Sequence, residues 1–228
     1  MKFDSNVISP SGLAKILECP RKAHESESVN DMQAFPIGMH VGNLVHAYIT
    51  GHKYEKPDKL LMDKVTPTMR DAEIQANAMI EAALGFLDDY DSIDQELHVS
   101  RELYLGGEQW RVEGSIDLVL EKDGKRYICD LKTGYRRPRG VWPQLAAYAF
   151  ALGENGAVRG AVLWVPRQRY RLSDTEPDWE DRDYNELWRA GMELAIAAVR
   201  ATTYHMTATP SQIACASCTV ENCAVRWW

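Results

Sequence analysis

Two short runs near the middle of the chain place acids and a base where they could act together. Gly114-Ser115-Ile116-Asp117 closes on a carboxylate, and the apolar Tyr127-Ile128-Cys129 leads into Asp130-Leu131-Lys132. Side chains alternate across a strand, so Asp130 and Lys132 project from one face while Cys129 and Leu131 project from the other. If the two runs are hairpin neighbours, Asp117 comes alongside that pair, and two carboxylates and an ammonium gather within a few ångströms. Paired carboxylates are hard oxygen ligands suited to magnesium or manganese. Such an ion can polarise a phosphodiester and lower the pKa of a bound water, and a lysine beside it can orient that water or stabilise developing charge. An isolated Asp-x-Lys is more often a surface salt bridge, so the assignment depends on its surroundings.

A second set of candidate ligands lies towards the two ends. The five cysteines, Cys19, Cys129, Cys215, Cys218 and Cys223, are odd in number and unevenly spaced, which argues against a secreted disulfide framework and for metal binding. Cys215-x2-Cys218-x4-Cys223 supplies three soft thiolates in one loop. A metal-sulfur site needs a fourth, for which Cys19 is the candidate. Spacing alone leaves zinc and an iron-sulfur cluster equally open. Strand parity sets Cys129 apart, because it faces away from Asp130, where a free cysteine is ordinarily core.

The elements that must position these groups follow from the apolar period. Ser9-Pro10-Ser11 ahead of Leu13, Ile16 and Leu17 signals a helix start with Ser11 as N-cap, ended at Cys19-Pro20. Helical spacing recurs from Met39 to Ile49 and from Thr68 to Leu87. The period then changes: Glu96 to Leu105, Trp110 to Leu120 and Arg126 to Lys132 read as a three-stranded meander broken at Gly106-Gly107 and Asp123-Gly124. A helix opened by Pro143 runs to Leu152, Ala161 to Val165 suits a buried strand, and Asp183 to Thr202 reads as an amphipathic helix. The expectation is a single α/β domain over 1–228 with a mixed central sheet. It divides into a helical N-terminal region (1–93), a core (94–170), and a C-terminal helix with a cysteine-bearing tail (171–228).

With 228 residues, 45% of them hydrophobic, the chain can bury one sizeable core. No leader pattern and no run long enough to span a bilayer is visible, so a cytoplasmic protein without a membrane partner is expected. The formal charge of -7 argues against coating nucleic acid through net charge, and puts weight on local base. Base clusters at Lys132, Arg136, Arg137 and Arg139 and again at Arg167, Arg169 and Arg171. The first cluster leaves the strand that bears Asp130, where it could hold a nucleic-acid backbone.

In order, Gly42-Asn43-Leu44-Val45-His46, Gly114 to Asp117, Asp130 to Lys132 and Gln144-x-x-x-Tyr148 resemble the successive motifs of RecB-like PD-(D/E)XK nucleases. The segment from Ser9 to Arg21 resembles that family's N-terminal segment. The resemblance implies a restriction-endonuclease-like core in which His46, Asp117, Asp130 and the carbonyl of Leu131 bind Mn2+ or Mg2+ and Lys132 serves the attacking water. Gln144 and Tyr148, one helical turn apart, would support the site or touch DNA. Glu96 could add an acidic contact, or be an exposed strand-end carboxylate. One cysteine near the front with three at the back resembles the fourth CRISPR-associated protein family and the related AddB nuclease, which implies a 4Fe-4S cluster on Cys19, Cys215, Cys218 and Cys223. The last gap is one residue shorter than that family's spacing, which keeps zinc in view.

What the resemblance implies is an exonuclease on single-stranded DNA ends, 5′ to 3′, serving recombination, repair, phage or CRISPR spacer acquisition. Its partners would be DNA and, beyond it, a second copy of the chain or CRISPR adaptation proteins. The rival reading is a DNA-end-binding adaptor subunit of a larger complex. No phosphate-binding loop of the Gly-x-x-x-x-Gly-Lys type occurs, so no ATP-driven motor is expected.

Overall fold

The computed structural model describes residues 7–12, 35–105, 108–134, 140–153, 158–168 and 175–183. Its first part holds three two-residue strands, β1 (Val7–Ile8), β2 (Phe35–Pro36) and β3 (Leu60–Leu61), and the helices α1 (Ile37–Thr50) and α2 (Met69–Leu87). The core follows as β4 (Ser92–Leu105), β5 (Glu108–Lys122), β6 (Lys125–Gly134), α3 (Val141–Leu152), β7 (Val158–Pro166) and β8 (Asp178–Asp183).

Local chemistry accounts for the boundaries. Thr68 and Asp71 form a reciprocal capping box at the start of α2, a device whose loss costs about 1 kcal/mol. α1 stops at Gly51, whose φ of 73° gives the left-handed C-terminal turn. At the β5–β6 hairpin, Asp123 and Gly124 both have positive φ, 52° and 69°, as the tight turn between right-twisted strands requires.

The main sheet runs β4-β5-β6-β7-β8, with β1 lying parallel to the early part of β5 on the edge opposite β4. β4, β5 and β6 are antiparallel neighbours, β6 and β7 are parallel across α3, and β8 returns antiparallel. α3 covers one face through Val141, Leu145 and Ala149 against Ile116, Ile128 and Val162. α1 and α2 cover the other, packing Val41, Val45 and Met79 with Leu118, Cys129, Leu131 and Leu163. This is the expected mixed sheet flanked by helices.

Several boundaries differ from expectation. Ser9, not Ser11, caps the first helical turn, accepting from Gly12 N at 3.1 Å, because Pro10 already occupies a helical position where its missing N–H costs nothing. α3 opens at Val141 rather than Pro143, which sits in the first turn. Asp183 ends β8 instead of opening a helix; the rest of the expected helix lies outside the described residues. No described helix is long and apolar enough to cross a membrane.

Candidate active site

The site forms where β5 and β6 part. Their ladder runs from Lys122↔Lys125 to Leu118↔Cys129 and goes no further. The next group along β5, the Asp117 carboxylate, takes the place of a backbone acceptor: Leu131 N donates to Asp117 Oδ2 across 2.8 Å. At the same point the alternation of β5 shifts. Val112 and Ile116 face α3, whereas Leu118 and Leu120 face α1 and α2. The strand opposite deviates too, for Glu96 of β4 has φ 49°. Asp117 therefore stands in an opening between strands, only 13% exposed.

Parity places Asp130 and Lys132 as expected, with Cys129 and Leu131 in the opposite core. Asp130 is 1% exposed and heavily engaged on one side. Its Oδ1 accepts from Lys132 Nζ at 2.7 Å and from Gln144 Nε2 at 2.6 Å. Its Oδ2 lies 2.6 Å from Lys132 Nζ but accepts no hydrogen bond. Gln144 is thus a direct support of the carboxylate. Tyr148 is buried, bonds Gln144, and passes so near Gly114 that a Cβ there would sit 3.2 Å from Tyr148 Cε1. That close approach explains the glycine ahead of Asp117. Trp142 instead carries the Arg182 guanidinium 4.1 Å over its ring, a packing role.

His46 reaches the site from α1. A Cβ at Gly42 would lie 2.6 Å from Thr133 Oγ1, so the glycine one turn before His46 lets α1 settle against the end of β6. His46 Nε2 is 3.3 Å from Asp117 Oδ1. On the other side of the ring, the Thr50 hydroxyl donates to the His46 carbonyl at 2.9 Å, leaving its lone pairs towards Nδ1 at 3.3 Å. With its Nδ1 proton directed at Thr50, His46 turns Nε2 towards a carboxylate, so either a second proton or a cation belongs between them. Glu96 completes this side. Donor atoms of His46, Glu96 and Asp117 all lie within 4.8 Å of one another, a grouping that does not include Asp130.

The electrostatics agree with an ion-binding role. Burial, reinforced by the Asp117 carboxylate, pushes Asp130 up to about 7 against the pull of Lys132. Burial works against the Lys132 ammonium, but Asp130 and Asp117 outweigh it and hold its pKa above the ordinary value. Burial likewise opposes charge on His46, yet its bond to Asp117 and the charges of Asp117 and Glu96 raise it. Two crowded carboxylates, with an imidazole nitrogen 3.3 Å from one of them, form a donor set that fits a divalent cation.

Arg167, read from sequence as part of a basic cluster, is 6% exposed and joins the β7 end to the Asp63–Thr66 turn and to Gln75 of α2. Arg136, Arg137 and Arg139, and the ligand candidates Cys19, Cys215, Cys218 and Cys223, lie outside the described residues. The participation of Glu96 was only half visible in sequence. The signal that could have found it is register, since Gln95↔Leu118 and Leu97↔Ile116 set Glu96 opposite Asp117.

Comparison with known proteins agrees with this geometry. Superposition on the crystal structure of SSO0001 gives a TM-score of 0.53 at 13% identity, covering 100% of this chain and 90% of that one. A proposed exonuclease from Eubacterium rectale gives 0.53 at 14% identity, covering 89% of this chain and 85% of that one. At these identities the likeness shows the fold. No curated protein sequence matches. The sequence profile of the PD-(D/E)XK nuclease superfamily, however, matches residues 7–225. With that match over nearly its whole length, and with acids and lysine arranged on adjacent strands as described, the chain belongs to the PD-(D/E)XK nuclease superfamily.

Proposed function

We propose that this protein is a divalent-metal-dependent DNA exonuclease acting on single-stranded ends in the 5′ to 3′ direction. The observation that supports it most is the meeting of Asp117 and Asp130 where β5 and β6 part, with Lys132 and His46 on either side. His46, Asp117, Asp130 and the Leu131 carbonyl would hold Mn2+ or Mg2+. When bound, the ion supplies charge that polarises the phosphodiester and acidifies water. Lys132 keeps its ammonium next to Asp130, positioned to orient the attacking water and to offset charge developing on the phosphate. Gln144 holds the carboxylate in place, and Tyr148 packs behind Gln144. Arg136, Arg137 and Arg139 would grip the substrate backbone, and Cys19, Cys215, Cys218 and Cys223 would hold a 4Fe-4S cluster.

The preference for single strands and for 5′ ends, and a place in recombination, repair or CRISPR spacer acquisition, rest on the likeness of the motifs to the fourth CRISPR-associated family. The Asp130–Lys132 pair, buried and bonded to Gln144, speaks against an adaptor subunit that only binds DNA ends. The experiment is to incubate the purified protein with end-labelled linear and with circular single-stranded DNA, with manganese or with chelator. The expected result is manganese-dependent degradation of the linear strand alone. Attack on circles would refute the requirement for ends, and equal degradation in chelator would refute the metal.

A further inference from the structure

We infer that Glu96 is a ligand of the divalent cation, so that His46 and Asp117 hold the ion together with a carboxylate delivered by β4. This rests on the nuclease reading above and extends it to a residue outside the motifs. The donor atoms of His46, Glu96 and Asp117 already lie within 4.8 Å of one another. They come from three separate elements, α1, β4 and β5, so local sequence proximity does not explain the grouping.

The backbone around Glu96 points the same way. The register flanking it, Gln95↔Leu118 and Leu97↔Ile116, sets Glu96 across from Asp117, and opposed residues share a face. Glu96 nevertheless has φ 49°, a left-handed conformation that a glutamate adopts only at a cost and only when its surroundings enforce it. Next to it, Gln95 Nε2 donates to the Ile49 carbonyl at 2.7 Å, tying β4 to the end of the helix that carries His46. The carboxylate so placed has a weak alternative engagement, the exposed His52 imidazole at 4.0 Å. Asp130, in contrast, is outside the three-residue group and commits Oδ1 to Lys132 and Gln144. An ion near His46 would thus find its extra oxygen ligand in Glu96. A mixed imidazole and carboxylate set suits manganese better than magnesium, which favours oxygen ligands and retained waters.

The test is calorimetric titration of Mn2+ into the full chain freed of divalent ions by chelation, alongside thermal unfolding and cleavage of end-labelled DNA. Variants are Glu96→Gln, Glu96→Gly, Asp117→Asn and, as a control on the exposed part of β4, Glu102→Gln. Both Glu96 variants should bind Mn2+ at least roughly tenfold more weakly, the loss that even an outer-shell partner produces, while Glu102→Gln binds like the parent. Glu96→Gly should unfold no earlier than the parent, because glycine accepts the left-handed backbone; weaker binding by a protein at least as stable is a result that damage to the fold cannot produce. Parent-like Mn2+ affinity in both Glu96 variants overturns the inference. If Asp117→Asn then loses binding and cleavage, the nuclease reading stands without Glu96; if Asp117→Asn keeps both, that reading falls as well.

Discussion

Gln144 Nε2 donates to Asp130 Oδ1 across 2.6 Å, and this one bond ties α3 to the acid-bearing end of β6. Both partners are buried, and a hydrogen bond to a charged group in such a place is worth about 1.5–3 kcal/mol. Gln144→Ala should lower stability by about that amount. With Asp130 as the proposed metal ligand, it should also slow cleavage on the order of tenfold to a hundredfold, the effect of losing a group behind such a ligand. Thermal unfolding and single-turnover cleavage measure the two effects; a variant slowed without being destabilised would mean that Gln144 acts on substrate rather than through Asp130.

Gly42 makes a second relationship testable. With only 2.6 Å between a Cβ at that position and Thr133 Oγ1, Gly42→Ala must push α1 away from β6. Overpacking of this kind costs about 1–3 kcal/mol, although alanine is otherwise the better helix former by about 1 kcal/mol. The variant should therefore unfold earlier and bind Mn2+ more weakly, because His46 rides on the displaced helix. Addition of Thr133→Ser, which removes a methyl near the contact, should recover little, since the clash is with Oγ1.

These two relationships show what sequence could and could not convey. Asp117, Asp130 and Lys132 were legible because strand parity alone puts Asp130 and Lys132 on one face, and a hairpin puts Asp117 beside them. Gln144 and Tyr148 were legible as a helix-face pair, but which carboxylate Gln144 holds depends on α3 crossing the sheet between β6 and β7. Arg167 looked like part of a solvated basic cluster; its burial against Gln75 and Thr66 depends on packing between segments far apart in sequence. Glu96 was only half visible, as an acidic contact or an exposed strand-end carboxylate, because a left-handed glutamate within a strand has no residue-type signature. β8 was obscured by composition, since Asp178, Glu180, Asp181 and Asp183 lower strand propensity and only pairing with β7 overrides it.

Metal binding should depend on pH in a direction set by the same groups. Asp130 is raised to about 7, chiefly by burial, and His46 is raised by Asp117 and Glu96 against the effect of its own burial. A cation takes both in their deprotonated forms, so Mn2+ affinity should climb as pH rises through about 7 and level off above it. The metal-free protein follows the opposite sign. Groups with raised pKa values stabilise the fold fully below their unfolded values and lose that contribution as pH rises through the folded ones. The increase in unfolding temperature on adding Mn2+ should therefore widen between about pH 6 and pH 8. An increase that is constant over that range would show that neither proton competes with the ion.

The proposed cluster joins the two ends of the chain, with no ligand drawn from the Asp117 to Lys132 region, so its role should be that of a clasp. Closing a loop of nearly the whole chain contributes roughly 5 kcal/mol on the loop-entropy model, comparable with the net stability of a domain. Cys218→Ala should yield protein without iron-sulfur absorption that unfolds readily and loses cleavage, whereas Cys129→Ala, at a fully buried core position, should keep its cluster. Iron and sulfide analysis beside thermal unfolding checks this; a parent protein containing zinc and no iron would contradict it.

The central claim is that Asp117, Asp130 and Lys132 form a hydrolytic centre, and the most direct measurement is cleavage of end-labelled single-stranded DNA by Lys132→Ala under single-turnover conditions with Mn2+. Lys132 Nζ lies 2.7 Å from Asp130 Oδ1, and its side chain remains 25% exposed. Loss of a group that handles the attacking water is expected to slow the reaction by about 10²–10⁴-fold, while DNA affinity, measured in Ca2+ or without divalent ions, stays close to the parent's. A Lys132→Ala protein that cleaves at the parental rate would contradict the assignment of this site as the catalytic centre.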